Sequence, residues 1–285
     1  MNRNQLRFAA LALLFALPAT LATQVPTASA GPWTKSSGEF YVKFGESFYM
    51  ADAFRNADGE LVAGTDYFSA TTYLYGEFGL MNGLHIHGYL PFVVAQNQLG
   101  GEVYSDRGFG DAMLGIQASP LKLAFPTAVR LDAKIPLYSG DISGPNALQT
   151  PARGDAQLDL TAWLSAGAGF NTIPLFFFAD VGYQHRTSLT LSDTARGPFS
   201  DGLVFAAQAG YWLFDDRAII SLNTSGLMAL QEDTVSKSYV TVGPSLFIPL
   251  NHFIAMEADA YWTPYSRNSA AGWSFGLGVS VRGGP

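Results

Sequence analysis

Between residues 127 and 138 the chain reads TAVRLDAKIPLY, with Arg130, Asp132 and Lys134 at every second position among Val129, Leu131, Ala133, Ile135 and Leu137. In an extended segment these charges share one face and the apolar residues the other, so the charged face can pair or pass ions only if it is wet. Similar positions recur along the chain. Lys43, Glu77, Asp111, Asp159, Asp180, Arg186, Glu257 and Asp259 each stand on the polar side of an alternating stretch. Mixed signs at this density form cross-strand ion pairs that either line a narrow channel or fill it. Arg130, Asp132, Lys134, Asp159, Asp180, Glu257 and Asp259 are the residues expected to shape a constriction, with Arg186, Asp111, Lys43 and Glu77 completing the lining.

Other chemistry is weakly signalled. His85 and His87 lie two apart on one strand face, a spacing that suits a metal, but no third ligand stands nearby in the sequence, and lumen-lining histidines near one mouth are the preferred reading. Asn56, Asp58 and Glu60 offer oxygens without the spacing of a calcium loop, so a solvated tip is expected. His185 falls on the apolar register, where an outer-membrane lipase would want a base, yet no G-x-S-x-G stretch accompanies it. No catalytic residue, metal or cofactor is therefore expected, and an enzyme is the least favoured class.

Strands must carry these residues, because period-two alternation recurs almost everywhere. Phe40, Val42 and Phe44 alternate with Tyr41 and Lys43; Leu84, Ile86 and Leu90 with His85, His87 and Tyr89; Leu158, Leu160, Ala162 and Leu164 with Gln157, Asp159, Thr161 and Trp163. About twelve such strands can be read. Long polar links (ADAFRNADGELVAG, QNQLGGEVYSDRG, SGDISGPNALQTPARGD, SLTLSDTARGPFS, ALQEDTVSKS, TPYSRNSA) alternate with short ones (MNG, SPLK, NTIP, FDDR, PLNH). Even strand number with long links at one end and short turns at the other predicts an all-β, transmembrane antiparallel up-and-down β-barrel, with the short turns and both chain ends on the periplasmic side.

Alternation alone does not say which face is inside, and a soluble lipocalin-like barrel shows the same period. Size decides: twelve strands enclose too much space for an apolar packed core, so the apolar register should face lipid and the charged register a wet lumen. Trp262 and Trp273 fall on the apolar set on either side of one link, as in an aromatic girdle.

Composition agrees. Residues 1–30 carry Arg3 and Arg7, an apolar run from Phe8 to Leu17 and Ala28-x-Ala30, the pattern of a cleaved secretory signal, leaving residues 31–285 as one barrel. Cleavage reduces the 16 Lys and Arg to 14 against an unchanged 23 Asp and Glu, a formal charge of −9. Nucleic acid is excluded as a partner by that balance. The expected partners are outer-membrane lipid, the barrel-assembly machinery and a small-molecule cargo. Cysteine is absent, so no disulfide or thiolate site contributes.

Three stretches, YLYGEFGLMNGLHIHGYLPF (73–92), GFGDAMLGIQ (108–117) and GDAQLDL (154–160) with FFADVGYQHR (177–186), resemble the outer-membrane transporters grouped as the MetA-pathway-of-phenol-degradation family. The resemblance implies a barrel of a Gram-negative outer membrane that passes small hydrophobic or aromatic compounds. It places Gly108, Gly110 and Asp111 at the outer start of the fourth strand, Asp111 turned to the lumen. The pre-barrel segment GPWTKSS is shorter than the plugs of larger importers, so any gate is expected from inward-folded loops or lumen side chains. The chain also ends SVRGGP, without the terminal aromatic residue that barrel insertion usually reads.

Overall fold

The computed structural model describes residues 31–285 apart from 122, 139–145, 147–148, 171–172, 191–198, 215–216, 232 and 234. Strands are β1 (Phe40–Arg55), β2 (Leu61–Met81), β3 (Leu84–Leu99), β4 (Glu102–Phe109), β5 (Asp111–Ala118), β6 (Thr127–Pro136) and β7 (Gln157–Gly169). They continue as β8 (Leu175–Thr190), β9 (Gly202–Leu213), β10 (Ala218–Ala229), β11 (Ser238–Pro249), β12 (Ile254–Arg267) and β13 (Ser269–Gly283). β4 and β5 share one position in the sheet. β4 pairs with the distal half of β3, from Phe92↔Phe109 to Leu99↔Glu102, and β5 with its first half, from Leu84↔Ala118 to Tyr89↔Met113. The pairings β1–β13 and β2–β3 close the ring, giving a twelve-stranded antiparallel barrel.

Sidedness follows the alternation. Leu131 and Leu164 are 60% and 62% exposed, whereas Lys43 and Asp159, on the opposite face of their strands, are 2% and 0% exposed. Large apolar side chains thus ring the outside, and the polar register is enclosed. At about 25 cal/mol per Å² no water-soluble fold would leave such a continuous apolar belt uncovered, but hydrocarbon covers it without cost. Trp262 and Trp273 are direct register partners on this outer face, their rings stacked 6.1 Å apart.

Three of the long links are shorter than the sequence suggests. In ADAFRNADGELVAG, β1 runs on to Arg55 and β2 starts at Leu61; the tip is held by Asn56 Oδ1, which accepts the amides of Asp58 (3.0 Å) and Glu60 (2.9 Å). QNQLGGEVYSDRG is a hairpin turning at Gly100 and Gly101, both with positive φ, and TPYSRNSA turns at Asn268, φ 48°. Beyond the apolar belt both faces of a hairpin are wet, so hydropathy stops alternating while the backbone stays paired. SGDISGPNALQTPARGD and SLTLSDTARGPFS lie partly outside the described residues.

Candidate functional site: the barrel lumen

The β1–β3 wall is built from tyrosine. Tyr41, Tyr73, Tyr75 and Tyr89 form one buried cluster, Tyr49 and Tyr67 a second nearer the loop end. Room for these rings comes from glycine on the same inward face: a Cβ on Gly45 would stand 2.4 Å from the Tyr73 ring. The hydroxyls end on carboxylates. Tyr75 donates to Glu77 (2.7 Å) and Tyr41 to Glu257, which also receives Lys43 Nζ at 2.8 Å.

Ionic groups occupy the β5–β8 wall. Asp132 is surrounded by His87 Nε2 (2.9 Å), Arg130 Nε (3.2 Å) and the Trp163 indole N–H (2.8 Å), and Arg130 lies over the Trp163 ring, 4.5 Å from its centre. Arg130 also reaches Asp180 at 3.8 Å. Nearer the loop end, Lys134 Nζ meets Asp159 (2.6 Å), Asp155 (3.0 Å) and Asp111 (3.6 Å); Arg186 meets Asp159 (3.2 Å) and Asp155; Lys237 meets Asp155 (3.0 Å). Such a cluster is tolerable away from bulk water only because nearly every charge has an opposite partner.

All eleven lining candidates therefore sit on the enclosed face: Lys43, Glu77, Asp111, Arg130, Asp132, Lys134, Asp159, Asp180, Arg186, Glu257 and Asp259, the last beside Gly276 of β13. The structure gathers Asp111, Lys134, Asp159 and Arg186 into one cluster and Arg130, Asp132 and Asp180 into another, with Lys43 and Glu257 paired across β13. Three partners lie outside the strands read from sequence. Asp155 continues the alternation of Gln157 and Asp159, and Lys237 that of Tyr239 and Thr241, so the polar register itself signals both. Nothing in the sequence marks Lys35, whose Nζ is 3.0 Å from Glu77.

His85 and His87 do not converge on a shared point. His85 Nδ1 accepts the Lys35 amide (3.3 Å) and His87 pairs with Asp132, with ring centres 5.9 Å apart. Among the described residues no group of three His, Asp or Glu side chains is placed to hold a metal ion. On the outer face His185 Nδ1 lies 3.1 Å from Asp201, and the neighbouring Ser200 hydroxyl is buried and donates to the Asp201 carbonyl (2.7 Å) rather than to the imidazole. Glu39 and Arg282, which stand where the first and last strands meet, do not pair: Glu39 accepts the Ser36 amide (2.9 Å) and Arg282 Nε donates to the His252 carbonyl (3.4 Å). GPWTKSS reaches across the turn-end mouth: the Gly31 carbonyl accepts Gln117 Nε2 of β5 (2.9 Å), the Trp33 ring meets Phe176 and Phe178 of β8, and Lys35 meets Glu77 of β2. It is long enough because it needs to cross a small barrel only once.

The sequence matches no known family model and no curated protein. The fold is nevertheless similar to an outer-membrane channel from Pseudomonas putida F1, with TM-score 0.69 and 8% identity over 91% of this chain and 100% of that one. It is similar too to the NanC porin (TM-score 0.52, 10% identity, 85% and 98% covered) and to the translocator domain of the autotransporter NalP from Neisseria meningitidis (0.53, 9%, 87% and 90%). At these identities the likeness is one of fold: this chain has the architecture of outer-membrane β-barrels.

Proposed function

We propose that the protein is an outer-membrane channel for the passive passage of small molecules, and that its cargo is of the hydrophobic or aromatic kind implied by the resemblance to the MetA-pathway-of-phenol-degradation family. The observation that carries the reading is the sidedness of the closed sheet, with leucine and phenylalanine bare on the outside and ionisable groups enclosed. The tyrosines of β1–β3 support the cargo class by giving the enclosed wall an aromatic character, with rings that are packed against one another here and would stack on an aromatic solute only where that packing opens. Among the described residues Asp111 Oδ1 and Asn223 Oδ1 are buried without a hydrogen-bond partner, as suits groups that hydrate a narrow conduit.

Passage would run down a concentration gradient, with no coupling to ATP or redox chemistry. Acids outnumber cations among the lining residues, so the conduit should favour cations. Purified protein in a planar bilayer tests this directly: discrete conductance is expected, and Asp132→Asn and Asp159→Asn should each move the reversal potential toward zero selectivity. Unchanged potentials in both variants would refute their place in the path. One observation favours a second reading, a structural barrel with a blocked lumen: Tyr75, Gln117, Asn223, Thr241 and Asp159 are almost fully buried, so side chains fill much of the interior. Complete absence of conductance over a wide voltage range would favour that reading.

A further inference from the structure

The outward register of β1 runs Phe40, Val42, Phe44, Glu46, Phe48 and Met50 before it reaches Asp52, so a carboxyl interrupts the apolar belt near its centre. Glu46 lies about 20 Å along the strand from both Phe40 and Asp52, or roughly 15 Å in height at a tilt near 40°. In a belt about 25 Å tall that is close to the bilayer midplane. Its register partners are Thr72 of β2 and Leu277 of β13, and Phe44, Leu74 and Leu277 around it are exposed. The Thr72 hydroxyl donates to Glu46 Oε2 (2.6 Å), and Oε1 has no partner among the described residues. Lys43 of the same strand points to the other face, where it pairs with Glu257 (2.8 Å). An ionisable side chain at this depth is expensive and calls for a partner.

The lumen's water is on the opposite face, and headgroups lie too far above and below for a side chain as short as glutamate, so the fitting partner is another protein surface within the bilayer. The patch is suited to meet a copy of itself. In hydrocarbon a carboxyl is tolerated as the acid, whose O–H donates, and the Thr72 oxygen keeps lone pairs that accept. A twofold axis along the membrane normal would bring both pairs to one height, where each Glu46 can donate to the Thr72 oxygen of the other copy. Shape agrees with this chemistry. Gly76 and Gly88, register partners on the outward faces of β2 and β3, leave a dent beside the exposed Leu74 and Phe78. Neither has a positive φ, and a Cβ on Gly76 would meet nothing nearer than 3.8 Å, so neither backbone conformation nor packing among the described residues calls for glycine there. A ridge beside a dent is what an isologous contact uses, and small residues let membrane-embedded surfaces approach closely.

We propose that the outward face of β1–β3, centred on Glu46, Thr72 and the Gly76–Gly88 dent, binds a second copy of this chain within the bilayer, with Glu46 and Thr72 exchanging hydrogen bonds across the twofold axis. The proposal goes beyond the channel reading and rests only on the sidedness of the sheet. Sedimentation equilibrium of the refolded protein in a density-matched detergent measures the dimer constant. Glu46→Leu should lower it about tenfold to a hundredfold, the worth of two reciprocal hydrogen bonds in an apolar medium. Glu46→Gln keeps a donor and an acceptor and should stay within about threefold of the parent. Gly76→Leu fills the dent and should weaken association as Glu46→Leu does, with an unchanged urea midpoint because its Cβ has room. Glu46→Leu sets one more apolar side chain against lipid and should fold at least as well as the parent, so its loss of dimer is not a loss of fold. In vesicles the absence of cysteine lets Leu74→Cys report contact and Leu222→Cys, on β10 across the barrel, report random collision. Cross-linking between copies should be about tenfold faster or more at Leu74→Cys. A monomer in detergent together with equal cross-linking at the two sites overturns the proposal and gives the face to a different membrane partner. A parent dimer whose constant is indifferent to both Glu46→Leu and Gly76→Leu overturns the assignment of the contact to this face.

Discussion

Asp155→Asn is the sharpest probe of how the loop end is held together. Asp155 precedes β7, yet its carboxylate meets Lys134 of β6 (3.0 Å), Arg186 of β8 and Lys237 just before β11 (3.0 Å). Removing one partner of a buried ion pair costs about 3–5 kcal/mol when it strands the other charge. Here Lys134 and Arg186 keep Asp159, at 2.6 and 3.2 Å, while Lys237 loses a 3.0 Å contact in a site where its side chain is 4% exposed. The lower end of the range applies, about 3 kcal/mol, or roughly a hundredfold in the folded-to-unfolded ratio. Urea titration of the refolded protein in detergent, followed by tryptophan emission, measures it. Lys237→Met should destabilise the parent by about 1–2 kcal/mol more than it destabilises the Asp155→Asn background, since only the parent still holds the Lys237–Asp155 pair. A loss below about 0.5 kcal/mol for Asp155→Asn, or the same effect of Lys237→Met in both backgrounds, would refute the reasoning.

On the outer face, Leu131→Arg should cost about 2–4 kcal/mol more than Leu131→Ala when the protein folds into lipid vesicles, because Leu131 is bare at the middle of its strand; equal costs would mean that lipid does not lie there. Gly115→Ala would place a methyl 2.3 Å from both His87 Nε2 and Asp132 Oδ1, forcing apart a 2.9 Å pair. The expected loss is about 1–3 kcal/mol by urea midpoint, falling by more than half in a His87→Ala background. Between β10 and β11, burial works against ionisation of Asp233, but the Ser236 hydroxyl and the Ser236 and Val235 amides that donate to it prevail and lower its pKa. A lowered carboxyl pKa stabilises fully above the ordinary value of 3.8 and is lost as pH falls through the folded value, so intrinsic-rate-corrected amide protection at Val235 and Ser236 should hold from pH 7 to 5 and drop below about 3.8.

How far the sequence reaches is set by what alternation encodes. Period two assigns each side chain to a face, and every lining candidate from Lys43 to Asp259 falls on the enclosed one because a single-residue slip would put its charge into hydrocarbon. Alternation carries nothing about height or neighbours. Lys134 meets Asp159 because the two are register partners on β6 and β7, whereas Arg130 reaches Asp180 two strands away, a contact that depends on tilt and on the length of Arg. The hairpin tips escape for another reason: Gln98 is exposed while Asn97, on the other face, is buried and donates to the Gln149 carbonyl (2.8 Å), so polar residues stand on both faces and polarity no longer tracks a backbone that remains paired. Lys35 and the rest of GPWTKSS escape because seven residues ahead of the first strand are too few to show a period; only the closed ring brings Glu77, Gln117 and Phe178 within their reach. The contacts at the two mouths come from residues outside the barrel strands, Asp155 and Lys237 at one and Gly31 and Lys35 at the other. These residues hang on a few polar contacts while the wall is held by the full ladder of backbone hydrogen bonds, so movement at either mouth leaves the sheet intact, a division of stability that local opening demands.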